Sequence, residues 1–131
     1  MTSRIFQATF DCADARSLSA WWAGVLDYVQ APDDPDQPGQ EIARIVPPGG
    51  GPGLLFLQVP EPKTAKNRLH FDLRPTTRTR DEEVRWLLAS GATFIADHRG
   101  IHGPGTGWFV LADPEGNEFC MLRSEAEVAG S

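Results

Sequence analysis

The 131 residues suit one domain, and a 40% hydrophobic content with four Trp and seven Phe is enough for a real core. Twelve Lys and Arg against eighteen Asp and Glu leave a net charge of −6. With no basic run, that balance excludes nucleic acid and anionic membrane as expected partners. No window approaches the ~20 apolar residues of a membrane span. The N-terminal "MTSRIFQATFDCADA" has no apolar h-region, and two cysteines, Cys12 and Cys120, make no disulfide framework. The expectation is a cytoplasmic protein with reduced thiols.

In chain order, "RIFQATFDC" alternates Phe6, Ala8 and Phe10 against Gln7, Thr9 and Asp11 and predicts a strand. "ADARSLSAWWAGVLDY" predicts a helix with Leu18, Trp22, Val25 and Leu26 on one stripe and Asp14 as N-cap. Residues 31–40, rich in Pro, Asp and Gly, read as a loop. "EIARIV" and "GLLFLQV" read as strands joined by the turn "PPGGGPG". "NRLHFDLRP" alternates Leu69, Phe71 and Leu73 against His70, Asp72 and Arg74, a strand with one polar face. "TTRTRDEEVRWLLASG" predicts a helix with Val84, Leu87 and Leu88 buried and Gly91 just past its end. The strand "ATFIAD", the glycine-rich loop "HRGIHGPGTG" and a hairpin of "GWFVLAD" and "EFCMLR" about "PEGN" follow. "SEAEVAGS", residues 124–131, reads as a polar, frayed tail.

The halves repeat one order of elements. Gln7 and His70 take matching places in their strands, and Trp22 and Trp86 in their helices. This predicts an α+β fold of two tandem βαβββ modules, about 4–60 and 67–123, within a single domain 1–131. Their sheets form a curved mixed sheet around a cleft, with helices on the outer face. If apolar residues face the helices, the cleft face carries Gln7, Thr9, Asp11, His70, Asp72, Arg74, Glu118, Cys120 and Leu122, with Trp108 as a wall. His70 is the candidate general acid or base, because imidazole titrates near neutral pH. Asp72 stands two residues along the strand, roughly 7 Å away, too far for a direct side-chain hydrogen bond. Asp11 or Glu118 would then orient the ring.

Other residues carry less. Lys63, Lys66 and Arg68 in the connection suit an anionic ligand, a neighbouring subunit or plain solvation. Asn117 and Gly116 read as turn formers that tolerate positive φ. Cys12 reads as a small buried hydrophobe. Adjacent Trp21 and Trp22 cannot share a helix face, so one is core and the other is offered to a subunit contact in a homodimer.

The repeated βαβββ plan, "FDCAD" before a Trp-rich helix, and "LADPEGNEFCML" resemble the vicinal oxygen chelate superfamily, which includes glyoxalase I, extradiol dioxygenases and resistance proteins for bleomycin and fosfomycin. "VPEPKTAKNRLHFDLRP" looks more narrowly like its glyoxalase-like domain proteins. The resemblance implies metal-ligand positions on the first and last strand of each module. Here they fall on Gln7, His70, Cys120 and either Leu55 or Leu57, while Gln58 has the wrong parity. Leucine cannot bind metal and the carboxylates are lost, so the resemblance implies no bound metal cofactor. The expected function is binding of a small organic ligand, with the reaction unassigned. The alternatives are a metal-dependent lyase, isomerase or dioxygenase with a substituted ligand set, and a resistance protein that only sequesters a drug.

Overall fold

The computed structural model describes residues 2–35 and 37–130. Asp36, within the expected 31–40 loop, and Ser131, at the end of the expected tail, lie outside the described residues. The chain divides into two compact units, Met1–Lys63 and Thr64–Ser131.

The first unit runs β1 (Gln7–Cys12), α1 (Ala15–Leu26), β2 (Val29–Gln30), β3 (Ile42–Val46) and β4 (Gly53–Gln58). Its sheet order is β1-β4-β3-β2, with β1 parallel to β4 and the other pairs antiparallel. A parallel pair needs a crossover, and α1 supplies it by packing on β3 and β4. Asp14 caps the helix as expected, its Oδ1 accepting from the Ser17 amide at 3.0 Å. The helix ends at Leu26, the last residue of its apolar stripe, because Asp27 turns to φ +55° and releases the chain into β2. Leu18 and Trp22 are buried against Ala43, Ile45, Leu54 and Phe56, and Phe10 packs its ring 5.7 Å from Trp22 and 5.0 Å from Phe56. Phe6 departs from the expected alternation. It precedes β1, is 61% exposed, and lies under the Arg44 guanidinium at 5.4 Å. Trp21 is half-buried and meets Trp22 edge-on at 5.1 Å, so its own unit shelters part of it.

The second unit repeats the plan: β5 (Phe71–Leu73), α2 (Arg80–Ala89), β6 (Thr93–Asp97), β7 (Phe109–Ala112) and β8 (Glu118–Met121), in the order β5-β8-β7-β6 with β5 parallel to β8. Both units are α+β, as the sequence predicts. Val84 and Leu87 are buried, but Leu88 is 39% exposed and Trp86 37% exposed. The third buried position of α2 is Arg80, whose guanidinium lies over the Phe109 ring at 5.7 Å and donates to the Gly107 carbonyl at 3.1 Å. Trp86 instead carries the Arg78 guanidinium on its ring at 4.9 Å.

Two expectations for this unit are corrected. β5 has three residues, not the whole of 67–74, and Leu69 is 77% exposed. In place of ladder bonds, Asn67 reaches β8 by exchanging side-chain and backbone bonds with Glu118. The tail is not simply frayed. Glu125–Ala129 form α3, started by a capping box in which Ser124 and Glu127 satisfy each other's amides. No described helix is long and apolar enough to cross a membrane.

Candidate functional site

β8 lies between β5 and β7, so its side chains set the middle of both faces of the second sheet. Phe119 and Met121 point into the core with Phe109 and Leu111, the side on which Arg80 of α2 lies. Cys120 has the opposite parity. Its neighbours by register are Asp72 on β5 and Val110 on β7, and Val110 is paired in turn with Ala96 on β6. This row is the floor of a pocket of about 400 Å³, a volume in the range of small-molecule sites. Trp108 and His98 wall one end, their rings 5.5 Å apart, and His102 lies 6.1 Å from the same indole. His70, Lys66 and Glu118 border the other end.

The polar border is internally bonded. Glu118, only 14% exposed, accepts from Lys66 Nζ at 3.0 Å and from the Asn67 amide at 3.1 Å. His70 Nε2 lies 3.4 Å from Asp72 Oδ1. The expected separation of roughly 7 Å is the repeat of alternate residues along a strand. His70 stands before β5 begins, outside its pleat, and its imidazole reaches along the chain to Asp72. The Cys120 thiol is pushed up to about 11 by burial first, then by the Asp72 carboxylate that accepts its hydrogen bond.

That shift makes a prediction. The folded thiol titrates near 11 and the unfolded one near 9. From pH 9 to pH 11 the unfolded chain has lost this proton while the folded chain keeps it. Stability is therefore full below pH 9 and falls as pH rises through 11, by on the order of 1–3 kcal/mol. Urea titrations of the protein and of Cys120→Ala across this range measure it. Equal slopes in the two proteins refute the assignment.

Among the other expected site residues, Arg74 does not join this group. Its guanidinium donates to the Arg123 carbonyl at 2.6 Å and lines a separate groove with Thr76, Thr79 and α3. Gln7, Thr9 and Asp11 belong to the first unit, where Thr9 and Asp11 are exposed on β1. The Gln7 Oε1 accepts from Arg44 Nε at 3.1 Å. Register resolves the Leu55-or-Leu57 alternative. Thr9 pairs with Leu55 as Asp72 pairs with Cys120, so Leu55 is the first unit's counterpart of Cys120. Gln58 turns instead to the helix side, its Oε1 facing the Ala15 amide at 3.4 Å. Cys12 is buried and donates weakly to the Leu57 carbonyl, as a small core residue does.

Two contributors escape a reading of the sequence. His98 looks like part of a glycine-rich loop, yet it has the parity of Ala96 and its amide donates to the Trp108 carbonyl at 2.9 Å, so the pocket wall extends past β6. The second is the reach of His70 to Asp72, which creates a three-donor cluster. One ligand atom each from His70, Asp72 and Cys120 lies within 4.8 Å of the others. The turn after β7 is likewise built differently from expectation. Gly116 takes the positive φ, at +87°, while Asn117 acts by its side chain on buried Asp113, whose carboxylate also accepts the Glu115 and Asn117 amides.

Residues 7–122 match the family model of the glyoxalase-like domain. Among solved structures, the fosfomycin resistance protein FosX from Listeria monocytogenes, as a mutant complexed with Mn(II) and 1S,2S-dihydroxypropylphosphonic acid, is 13% identical with a TM-score of 0.70, over 97% of this chain and 94% of that one. FosX from Mesorhizobium loti is 14% identical with a TM-score of 0.67, over 100% of both chains. A glyoxalase/bleomycin resistance protein/dioxygenase family enzyme from Burkholderia phytofirmans PsJN is 20% identical with a TM-score of 0.64, over 91% of this chain and 97% of that one. At these identities the likeness is one of fold. No curated protein matches.

Proposed function

The chain belongs to the glyoxalase-like domain family, and from that premise we propose that it binds a small organic molecule in the pocket of its second unit, with His70 as the group that exchanges a proton with it. The observation that carries this reading is the His70–Asp72 pair at 3.4 Å on the border of a pocket walled by Trp108. A carboxylate on Nε2 fixes the ring and leaves Nδ1 for a ligand, the arrangement a general acid or base requires. Asp72, Glu118, Cys120 and Trp108 serve as binding residues. The homodimer expected from Trp21 stays part of the proposal, its exposed portion being the surface offered to a second copy.

The superfamily's four-position metal set does not fit. Leu55 has no donor atom, and the Gln7 amide oxygen already accepts from Arg44. Hard ions such as Mn²⁺, named in two FosX structures, favour carboxylate and water oxygens. The reading is therefore of a site that works without that metal. A second reading rests on the His70, Asp72 and Cys120 cluster. Its nitrogen, oxygen and sulfur donors suit Zn²⁺, and three protein ligands leave an open fourth position.

One preparation separates the two. Protein purified without added metal or chelator is analysed for metals and then screened with small organic probes by tryptophan fluorescence, against Trp108→Phe. Quenching that depends on Trp108, with metal far below one per chain, supports the first reading. Zinc near one per chain that vanishes in Cys120→Ala replaces it with the second.

A further inference from the structure

We propose that the ligand of the second unit's pocket is a cation, an amine or amidine on a flat apolar body. The inference rests on the pocket reading above and deepens it by naming the class of molecule.

The argument is one of charge placement. Three residues of the pocket have acidic or basic side chains other than imidazole or thiol: Lys66, Asp72 and Glu118. Lys66 and Glu118 are 3.0 Å apart, and Glu118 is the more sheltered of the two at 14% exposed, so this pair offers a ligand little net charge. Asp72 is different. Its partners in the pocket are the His70 imidazole and the Cys120 thiol, neither of which carries a permanent positive charge. It is 57% exposed. The charge left for a ligand to meet is therefore one carboxylate at the edge of an apolar floor.

The wall opposite agrees with that. Trp108 is the strongest cation–π acceptor among the side chains, and its flanking partners His98 and His102 are aromatic as well. From Asp72 the floor runs through Cys120, Val110 and Ala96, a row with no charged group, and Trp108 stands two residues before Val110 and lines the same pocket. An ammonium at the carboxylate with its apolar body along this row satisfies both ends. An anion at the same place would face Asp72, and the one cation of the pocket, Lys66, is already matched by Glu118 at 3.0 Å. The net charge of −6 on the whole chain adds a long-range bias of the same sign.

The test uses three probes of matched shape: benzylamine, benzyl alcohol and phenylacetate. Each is titrated into the intact protein with EDTA present, and Trp108 fluorescence is read against Trp108→Phe. Benzylamine is expected to bind at least about tenfold more tightly than benzyl alcohol, a difference of about 1.4 kcal/mol, and phenylacetate most weakly. Asp72→Asn should remove the tenfold preference, so that benzylamine and benzyl alcohol bind alike. A thermal melt of that variant, whose side chain is largely exposed, checks its fold. If benzyl alcohol or phenylacetate binds as well as benzylamine, the charge assignment is overturned while the pocket reading stands. If no probe of any charge changes the Trp108 signal at millimolar concentration, the pocket reading itself falls, and this proposal with it.

Discussion

His70→Gln is expected to keep ligand binding and to lower turnover by ~10²–10⁴-fold, the usual worth of a positioned acid–base group. Glutamine is close to histidine in reach and retains a donor and an acceptor, so its amide can still meet Asp72 Oδ1, which lies 3.4 Å from Nε2 in the native pair. It cannot take up or release a proton near neutral pH. Binding measured by Trp108 fluorescence and turnover measured on the same preparation must therefore separate. Asp72→Asn is the companion variant. It keeps the imidazole but weakens the hold on it, and should lower turnover less than loss of the ring does. Full turnover by His70→Gln would leave the residue as a wall of the pocket and nothing more.

The second large effect concerns stability. Gly107→Ala is expected to cost about 2–4 kcal/mol, because two terms of different origin add. The backbone at Gly107 has φ +92°, a region L side chains rarely adopt. A Cβ there would also meet the His98 carbonyl oxygen at 2.0 Å and the backbone of Arg99 and Gly100 inside 3 Å. These are main-chain atoms of the loop that closes the pocket, tied back by the His98 amide to the Trp108 carbonyl and by the Gly100 amide to the Thr106 carbonyl. They cannot move aside as a flexible side chain would. The carbonyl of Gly107 also accepts from buried Arg80, so a shift is passed to α2. Gly49→Ala is the control, since a Cβ at that position meets nothing within 4 Å. Melting temperatures should fall by roughly 5–15 °C for the first variant and scarcely at all for the second. Equal melts would remove the steric argument.

What the sequence made legible follows from what periodicity can encode. Alternation in "FDL" and "EFCM" assigned Asp72 and Cys120 to one face, and the structure pairs them directly. The duplicated order of elements gave both sheets. Periodicity gave no account of side chains at the ends of strands. His70 lies outside β5 and reaches Asp72 by leaving the pleat, and Arg74, beyond the other end, turns away to Arg123. Leu88 and Val84 looked equally buried by spacing, but Arg80 takes the buried face through its long apolar stem and its contact with Phe109. The helix in the C-terminal segment was readable in principle. "SEAE" has the spacing of a capping box, a signal that outweighs the polarity of the segment.

The parallel pairing of β5 with β8 has a consequence for the order in which this protein is made. Lys66 bonds Glu118, and Asn67 bonds the same residue, across 51 or 52 positions of chain. Because β8 separates β5 from β7 in the sheet, a nascent chain that ends before Glu118 has β5 with no partner and a hairpin of β6 and β7 with no centre. Such long-range closure gives slow folding, since the entropy of the loop is lost before any contact is gained. The first unit has all its strands once β4, which ends at Gln58, has emerged, well before β8, which begins at Glu118, does so. On the ribosome the earlier unit can fold ahead of the later one, and the pocket forms only after β8 has joined β5 to β7.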